Sequence, residues 1–199
     1  MLKLYDYVRS GNCHKARLML SFLELEYETV SVDLLKREQK LSDFLQLNPL
    51  GQVPVLVDGT AIIRDSQAIL VYLARQYGGE TWLPEDALGM SNVIQWLSNA
   101  ANEIANGLAA ARAYYLIGRP DINIEQATLR AHAILSVMER HLSTRTWLEL
   151  ERVTIADVAC FPYVALAHES KIALNDYPHV MSWANRFKQL PNYISMPGL

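Results

Sequence analysis

The chain has 199 residues, 51 % of them hydrophobic, a formal net charge of −3 and two cysteines. That is enough apolar material for one large or two small globular units with a sizeable core. The mild negative charge, with no basic run longer than Lys36-Arg37, argues against a nucleic-acid surface and gives no reason to expect a polyanion partner. Met1 leads straight into a strand-like segment without a basic and apolar leader, so no secretory signal is expected. The longest apolar run, 158–167, contains Pro162 and is far too short to span a membrane. Cys13 and Cys160 form neither a CxxC pair nor a zinc spacing, which fits a reducing, cytoplasmic setting.

In chain order, Leu2, Leu4, Tyr5 and Tyr7 predict a first strand over 2–7. The polar step Arg9-Ser10-Gly11-Asn12 breaks it, and helical spacing resumes over 14–23. Strand, polar turn and helix in that order aim free helix N–H groups at whatever lies above the turn. A second strand over 26–32 runs parallel to the first, because a helix intervenes, and completes a right-handed βαβ unit. A short helix or helical turn over 39–47 leads into Asn48-Pro49. Strands over 55–57 and 61–63, joined by Asp58-Gly59, form a hairpin, and a helix over 67–77 follows with Ile69, Leu70, Leu73 and Tyr77 on related faces.

Gly78-Gly79, Glu80, Pro84, Glu85 and Asp86 mark a linker. Beyond Leu88 the patterns are helical: 92–115, broken at Gly118-Arg119-Pro120, then 125–142, 154–167 and 181–190, stopped by Pro191. The expected architecture is an α/β N-terminal domain over 1–79, a linker over 80–87 and an all-helical bundle over 88–199.

Two local features point to ligand chemistry. Pro54 cannot donate in a strand ladder, so it belongs at the first residue of its strand or in a special turn, often as a cis bond. The backbone of Val53 is then available to pair with an extended peptide. Asp65 and Ser66 sit where the first N–H groups of the next helix have no intrahelical partner, so those groups and the Ser66 hydroxyl can hold a carboxylate; either residue can equally be a plain N-cap. Thr154 and Asp157 have capping-box spacing and are read as a device of fold stability, not of chemistry.

The segments LYDYVRSGN, NPLGQVPVL, RDSQAILVYLARQYG and TIADVA, in this order and spacing, resemble a cytosolic glutathione S-transferase of the bacterial theta-like or nu-like kind, and the likeness covers the whole chain. The resemblance implies a thioredoxin-like N-terminal domain that binds glutathione as co-substrate, and an all-helical domain that shapes the site of a small hydrophobic electrophile. It also implies a homodimer and no metal. Glu149-Leu150-Glu151 departs from the pattern, since the family usually has a Gly-containing turn there.

Such an enzyme needs a donor for the glutathione sulfur beside a positive helix end, because the free thiol has a pKa of about 8.5. Ser10 occupies the position of the theta-like serine, with Asn12 as the competing donor and the nu-like branch using a neighbouring polar pair. By the same resemblance Val53 before Pro54 pairs with the cysteinyl unit, and Asp65 and Ser66 hold the γ-glutamyl amine and carboxylate. Gln39, or its competitor Lys40, meets the glycyl carboxylate. Tyr7, Arg112 and Tyr115 are expected at the electrophile site, though aromatics at such spacing also pack in helical cores.

Glu103 could reach a ligand amine across a dimer. Cys13 reads as a packed thiol, and Tyr5 as a core or cleft-wall residue. His14 reads as a packed or solvated residue more readily than a base. A glutathione-dependent disulfide or peroxide reductase and a non-catalytic interaction module are the alternatives. The isomerase branch, which has Ser-Ser-Cys at the turn, is disfavoured by Ser10-Gly11-Asn12.

Overall fold

A computed structural model describes residues 1–199. Strands β1 (Leu2–Asp6), β2 (Tyr27–Ser31), β3 (Val55–Asp58) and β4 (Ala61–Arg64) form one sheet in the order β2-β1-β3-β4. β1 pairs in parallel with β2 and antiparallel with β3, with Leu4 opposite Leu56 and Tyr5 opposite Val55. The expected parallel unit and hairpin are both present, and the Val53-Pro54 peptide is cis. Helices α1 (Gly11–Phe22), α2 (Ser42–Leu47) and α3 (Ser66–Leu73) accompany the sheet.

The first helix starts three residues earlier than its apolar spacing indicates, because Ser10 caps it with a side-chain oxygen that accepts from Cys13 N–H at 3.2 Å. The stretch expected as one short helix over 39–47 is divided. A 3-10 turn spans Glu38–Lys40, Leu41 is extended, and α2 follows.

Helices α4 (Ala87–Asn99), α5 (Ala110–Ile117), α6 (Ile124–Leu142), α7 (Ile155–Ala165) and α8 (Pro178–Phe187) make the second unit. The single helix expected over 92–115 begins earlier and contains a ten-residue π-helical stretch, Ala100–Ala109, between α4 and α5. Gly118 then ends it in the left-handed region, at φ 67°. The turn before α7 also takes positive φ at Leu150 and Glu151, 62° and 50°, so this chain makes without glycine a shape that glycine normally favours.

One cluster of 39 buried apolar residues runs from Leu4, Leu18 and Leu56 through Leu73 and Trp96 to Phe161 and Trp183, so the sheet and the helical unit share a core. Helix α7 lies against α1, α3 and α4, and Phe22 of α1 meets Phe187 of α8 edge-on at 5.7 Å. Close approach governs this seam. A Cβ on Gly11 would stand 2.7 Å from the ring of Tyr163 in α7. Lys15 is fully buried there, its ammonium 5.5 Å from the centroid of the same ring and without a hydrogen bond. Burial lowers its pKa to about 8.

The expected capping box on α7 is present and reaches further than the local pattern. Asp157 accepts from Thr154 N–H (2.9 Å), Leu148 N–H (3.0 Å) and the indole of Trp183 (2.9 Å), all buried. Burial pushes its carboxyl up to about 6 against the pull of those donors. Asp157→Asn turns an amide donor toward one of these N–H groups while keeping the side-chain size. We expect a loss on the order of 2 kcal/mol, read as an earlier midpoint in denaturant unfolding.

Candidate active site

The β1–α1 turn is held by a buried ion pair. Arg17, one helical turn beyond Cys13, pairs with Asp6 at the end of β1 and donates to the Val8 carbonyl at 3.0 Å and the Tyr7 carbonyl at 3.5 Å. Ser10 N–H donates back to the Tyr7 carbonyl at 2.8 Å, closing the turn. From the helical unit, Arg112 of α5 donates to the Arg9 carbonyl at 3.0 Å and is matched by Glu169 at 2.5 Å. The turn is thus clamped from both sides. The capping role of Ser10 uses an oxygen lone pair and leaves its hydroxyl proton free, so capping and donation to an anion at the N-terminus of α1 are compatible.

A polar notch of about 60 Å³ lies beside this turn. It is lined by Asn12, Val53, Pro54, Asp65 and Ser66 together with Asn48, Leu50, Gln52 and Arg64. Its size suits one charged end of a peptide. Five expected residues therefore meet in one place: one from α1, two from the segment before β3 and two from the start of α3. Neither the N–H nor the C=O of Val53 has a backbone partner.

Asp65 is the N-cap of α3. One of its carboxylate oxygens accepts from Gln67 N–H (2.9 Å) and Ala68 N–H (3.1 Å), which leaves the other oxygen open. Its backbone sits at φ 76°, a conformation that costs a non-glycine residue on the order of 1–3 kcal/mol and is typical of ligand sites. The Ser66 hydroxyl is buried and donates to the Gln67 side chain, so a ligand there competes with Gln67. Arg64, exposed beside Asp65, escaped the sequence reading because it reads as a strand-ending charge.

Gln39 and Lys40 do not line the notch. Lys40 reaches over to donate to the Leu50 carbonyl at 2.9 Å, at the notch's rim. Asn48 holds the same loop by donating to the Gln52 carbonyl (2.8 Å) and accepting from Leu50 N–H (3.1 Å). Gly51 sits at φ 59°, and a Cβ on it would stand 2.7 Å from the Gln39 carbonyl.

Gln39 instead faces a second cavity, of about 350 Å³. Tyr7 and Arg9 come to it from the β1–α1 turn, and Leu34 and Leu35 from the loop after β2. Arg112, Leu116, Ile117 and Arg119 close it from the end of α5. Tyr7 and Arg112 therefore line the same cavity, but the Arg112 charge is already matched by Glu169, which makes it a clamp on the turn.

Tyr115 is not on this wall. Lys171 lies over its ring at 4.2 Å and Tyr114 meets it edge-on, and at about 100° per residue position 115 is a quarter-turn or more away from both Leu116 and Ile117 on the helix. Glu103 lies in the π-helical stretch and accepts from Asn102. Two further concavities, of about 400 and 440 Å³, lie between that stretch and α6 and behind β2, and neither includes a group from the turn.

Cys13 is buried, accepts from Tyr7 N–H and is pushed up to about 12 by burial, the behaviour of a packed thiol. Tyr5 packs edge-on against Phe44.

Residues 1–75 match the description Glutathione S-transferase, N-terminal domain, and residues 112–191 match Glutathione S-transferase, C-terminal domain. Glutathione S-transferase Z1 of Arabidopsis thaliana is 31 % identical over 96 % of this chain and 89 % of its own. Disulfide-bond oxidoreductase YfcG of Escherichia coli is 29 % identical over 96 % and 92 %. Among solved structures, a glutathione S-transferase from Xanthobacter autotrophicus superposes with TM-score 0.91 at 32 % identity, covering 100 % of this chain and 98 % of that one. A glutathione transferase from Burkholderia graminis, solved with two glutathione molecules per subunit, gives TM-score 0.85 at 26 % identity over 96 % and 85 %. The chain belongs to the glutathione S-transferase family, and its enzyme class is that of a glutathione transferase.

His14 lies in the first turn of α1, next to the β1–α1 turn. It is fully buried, neither ring nitrogen has a partner, and burial followed by the Arg17 charge lowers its pKa to about 3. A base held that low stays neutral in the folded protein while the unfolded chain binds its proton below about pH 6.5. Stability is therefore full above pH 6.5 and is lost as pH falls toward 3. We expect His14→Leu to flatten the dependence of unfolding free energy on pH between 6 and 4 by up to about 1.4 kcal/mol per pH unit.

Proposed function

We propose that the protein joins the thiolate of glutathione to small hydrophobic electrophiles. Glutathione lies with one charged end in the Asp65–Ser66 notch and its cysteinyl backbone on Val53, while the electrophile occupies the cavity bounded by Tyr7 and α5. The Ser10 hydroxyl donates to the sulfur, with Asn12 assisting and the N-terminus of α1 supplying the field. Lys40, or Gln39, meets the glycyl carboxylate from the rim. The observation that carries this reading is the turn itself, since Ser10 sits on it between Tyr7 and Arg9 on one cavity and Asn12 on the other, with its hydroxyl proton unspent. On this reading residues 1–79 bind glutathione, 80–87 link, and 88–199 shape the acceptor site.

The chemistry asked of the protein is modest. Lowering the thiol pKa from about 8.5 and holding two reactants in contact removes most of the barrier that dilution imposes. A disulfide reductase is the second reading. It is supported by the similarity to YfcG and by the neighbour that holds two glutathione molecules. In that reading bound glutathione thiols exchange without a protein cysteine, which agrees with Cys13 being packed and poorly acidic.

We further propose a homodimer in the cytoplasm. The exposed Ile62, Tyr77, Leu88 and Ile94 offer apolar surface for a second copy, and no helix is long and apolar enough to cross a membrane.

The first experiment is calorimetry with glutathione beside turnover of an aryl halide and of a small disulfide. Binding with aryl-halide turnover is the expected outcome; binding with disulfide turnover alone would promote the reductase, and absence of binding would remove both. Separately, Ser10→Ala should move the ionisation limb of the pH–rate profile up by about one unit, with the rate at pH 7 falling about tenfold. An unshifted limb would transfer the donor role to Asn12.

A further inference from the structure

The acceptor cavity carries three guanidinium groups and no carboxylate on its wall. Two of the three have a carboxylate partner within the chain, although Arg112 Nη2 makes no hydrogen bond. Arg112 pairs with Glu169, and Arg119 makes a two-pronged contact with Asp121 at 2.8 and 2.6 Å. Arg9 is different. Its side chain is exposed and has no hydrogen-bond or ion-pair partner, while its carbonyl is fixed by Arg112. The wall therefore carries one unspent positive charge, anchored through its backbone, above apolar surface from Leu34, Leu35, Leu116 and Ile117. Leu35 and Ile117 are 74 % and 61 % exposed, so this apolar wall is open to a ligand.

We propose that the preferred acceptor is an apolar electrophile bearing one carboxylate, which ion-pairs with Arg9 while its apolar body lies on the four aliphatic side chains. This rests on the transferase reading above. A guanidinium presents parallel N–H groups that match a carboxylate two-to-two, and a concave apolar surround strengthens the pair relative to open solvent. Because Arg112 and Arg119 are already neutralised, the site selects a monoanion. The reaction is an ordinary displacement. The thiolate sulfur forms the C–S bond, the bond from that carbon to the halide breaks with the electron pair leaving on the halide, and the thiol proton passes to solvent.

The test compares 4-chloro-3,5-dinitrobenzoate with the corresponding carboxamide, each rate divided by its uncatalysed rate with glutathione. The expected result is a preference of about tenfold in kcat/KM for the carboxylate, the size of one charge-assisted pair, which shrinks as salt is raised. In Arg9→Gln the carboxylate-to-carboxamide ratio should fall about tenfold, and Arg9→Lys should restore part of it. Arg9 is exposed and its carbonyl survives substitution, so these variants fold. Turnover of both acceptors with a ratio unmoved by Arg9→Gln overturns the inference and leaves the transferase reading standing. So does a raised KM for glutathione in Arg9→Gln at constant ratio, which would make Arg9 a glutathione ligand. Turnover of neither acceptor overturns both.

Discussion

The buried pair between Asp6 and Arg17 is the constraint on which the site depends. It joins the end of β1 to the first turns of α1, and the guanidinium also donates to the carbonyls of Tyr7, through the Nη1 that meets Asp6, and of Val8, through Nη2. Two charges removed from water are tolerable only when each is met by the other and the remaining donors find acceptors, and both conditions hold here. The consequence is a rigid turn that places Tyr7, Arg9, Ser10 and Asn12 in fixed directions. Such support fixes where the Ser10 hydroxyl stands, and positioning matters because errors of an ångström in a reacting group cost orders of magnitude in rate.

The second unit is part of the same device. Arg112 reaches back across the seam to the Arg9 carbonyl, and the ring of Tyr163 packs where Gly11 has no Cβ. With one apolar core running through both units, the cavity walls cannot move independently of the turn. The cavity bounded by Tyr7 and α5 is in this sense built by packing between domains, while the Asp65–Ser66 notch lies within the first domain alone.

Three residues at the start of α1 look reactive by type and are disarmed by burial. Cys13 is too weak an acid, His14 too weak a base, and Lys15 is sealed against an aromatic ring. Their common cause is that desolvation disfavours a charged form by more than their neighbours return. What remains on the turn is a hydroxyl, an amide and a helix end, with the Arg9 guanidinium beside them as the charged group left unpaired.

Local pattern alone was enough for the strand, turn and helix order of the first 75 residues, because alternation, Pro54 and the Asp58-Gly59 turn each act over a few residues. It was enough also for the capping box of α7 and, through the four motifs, for the family. The co-location of Asn12, Val53, Pro54, Asp65 and Ser66 was legible by resemblance. Three things required tertiary structure. Arg112 is a clamp because Glu169, far along the chain, is brought against it. Tyr115 is absent from the cavity wall and lies under Lys171 instead, because the phase of a helix is decided by the partner it packs on. Arg9 stands unpaired while Arg112, which holds its carbonyl, takes Glu169 as partner. Sequence determines which side chains are available and which backbone shapes are cheap, since those are properties of neighbours along the chain. The ownership of each charge is settled only when segments remote in sequence meet in space.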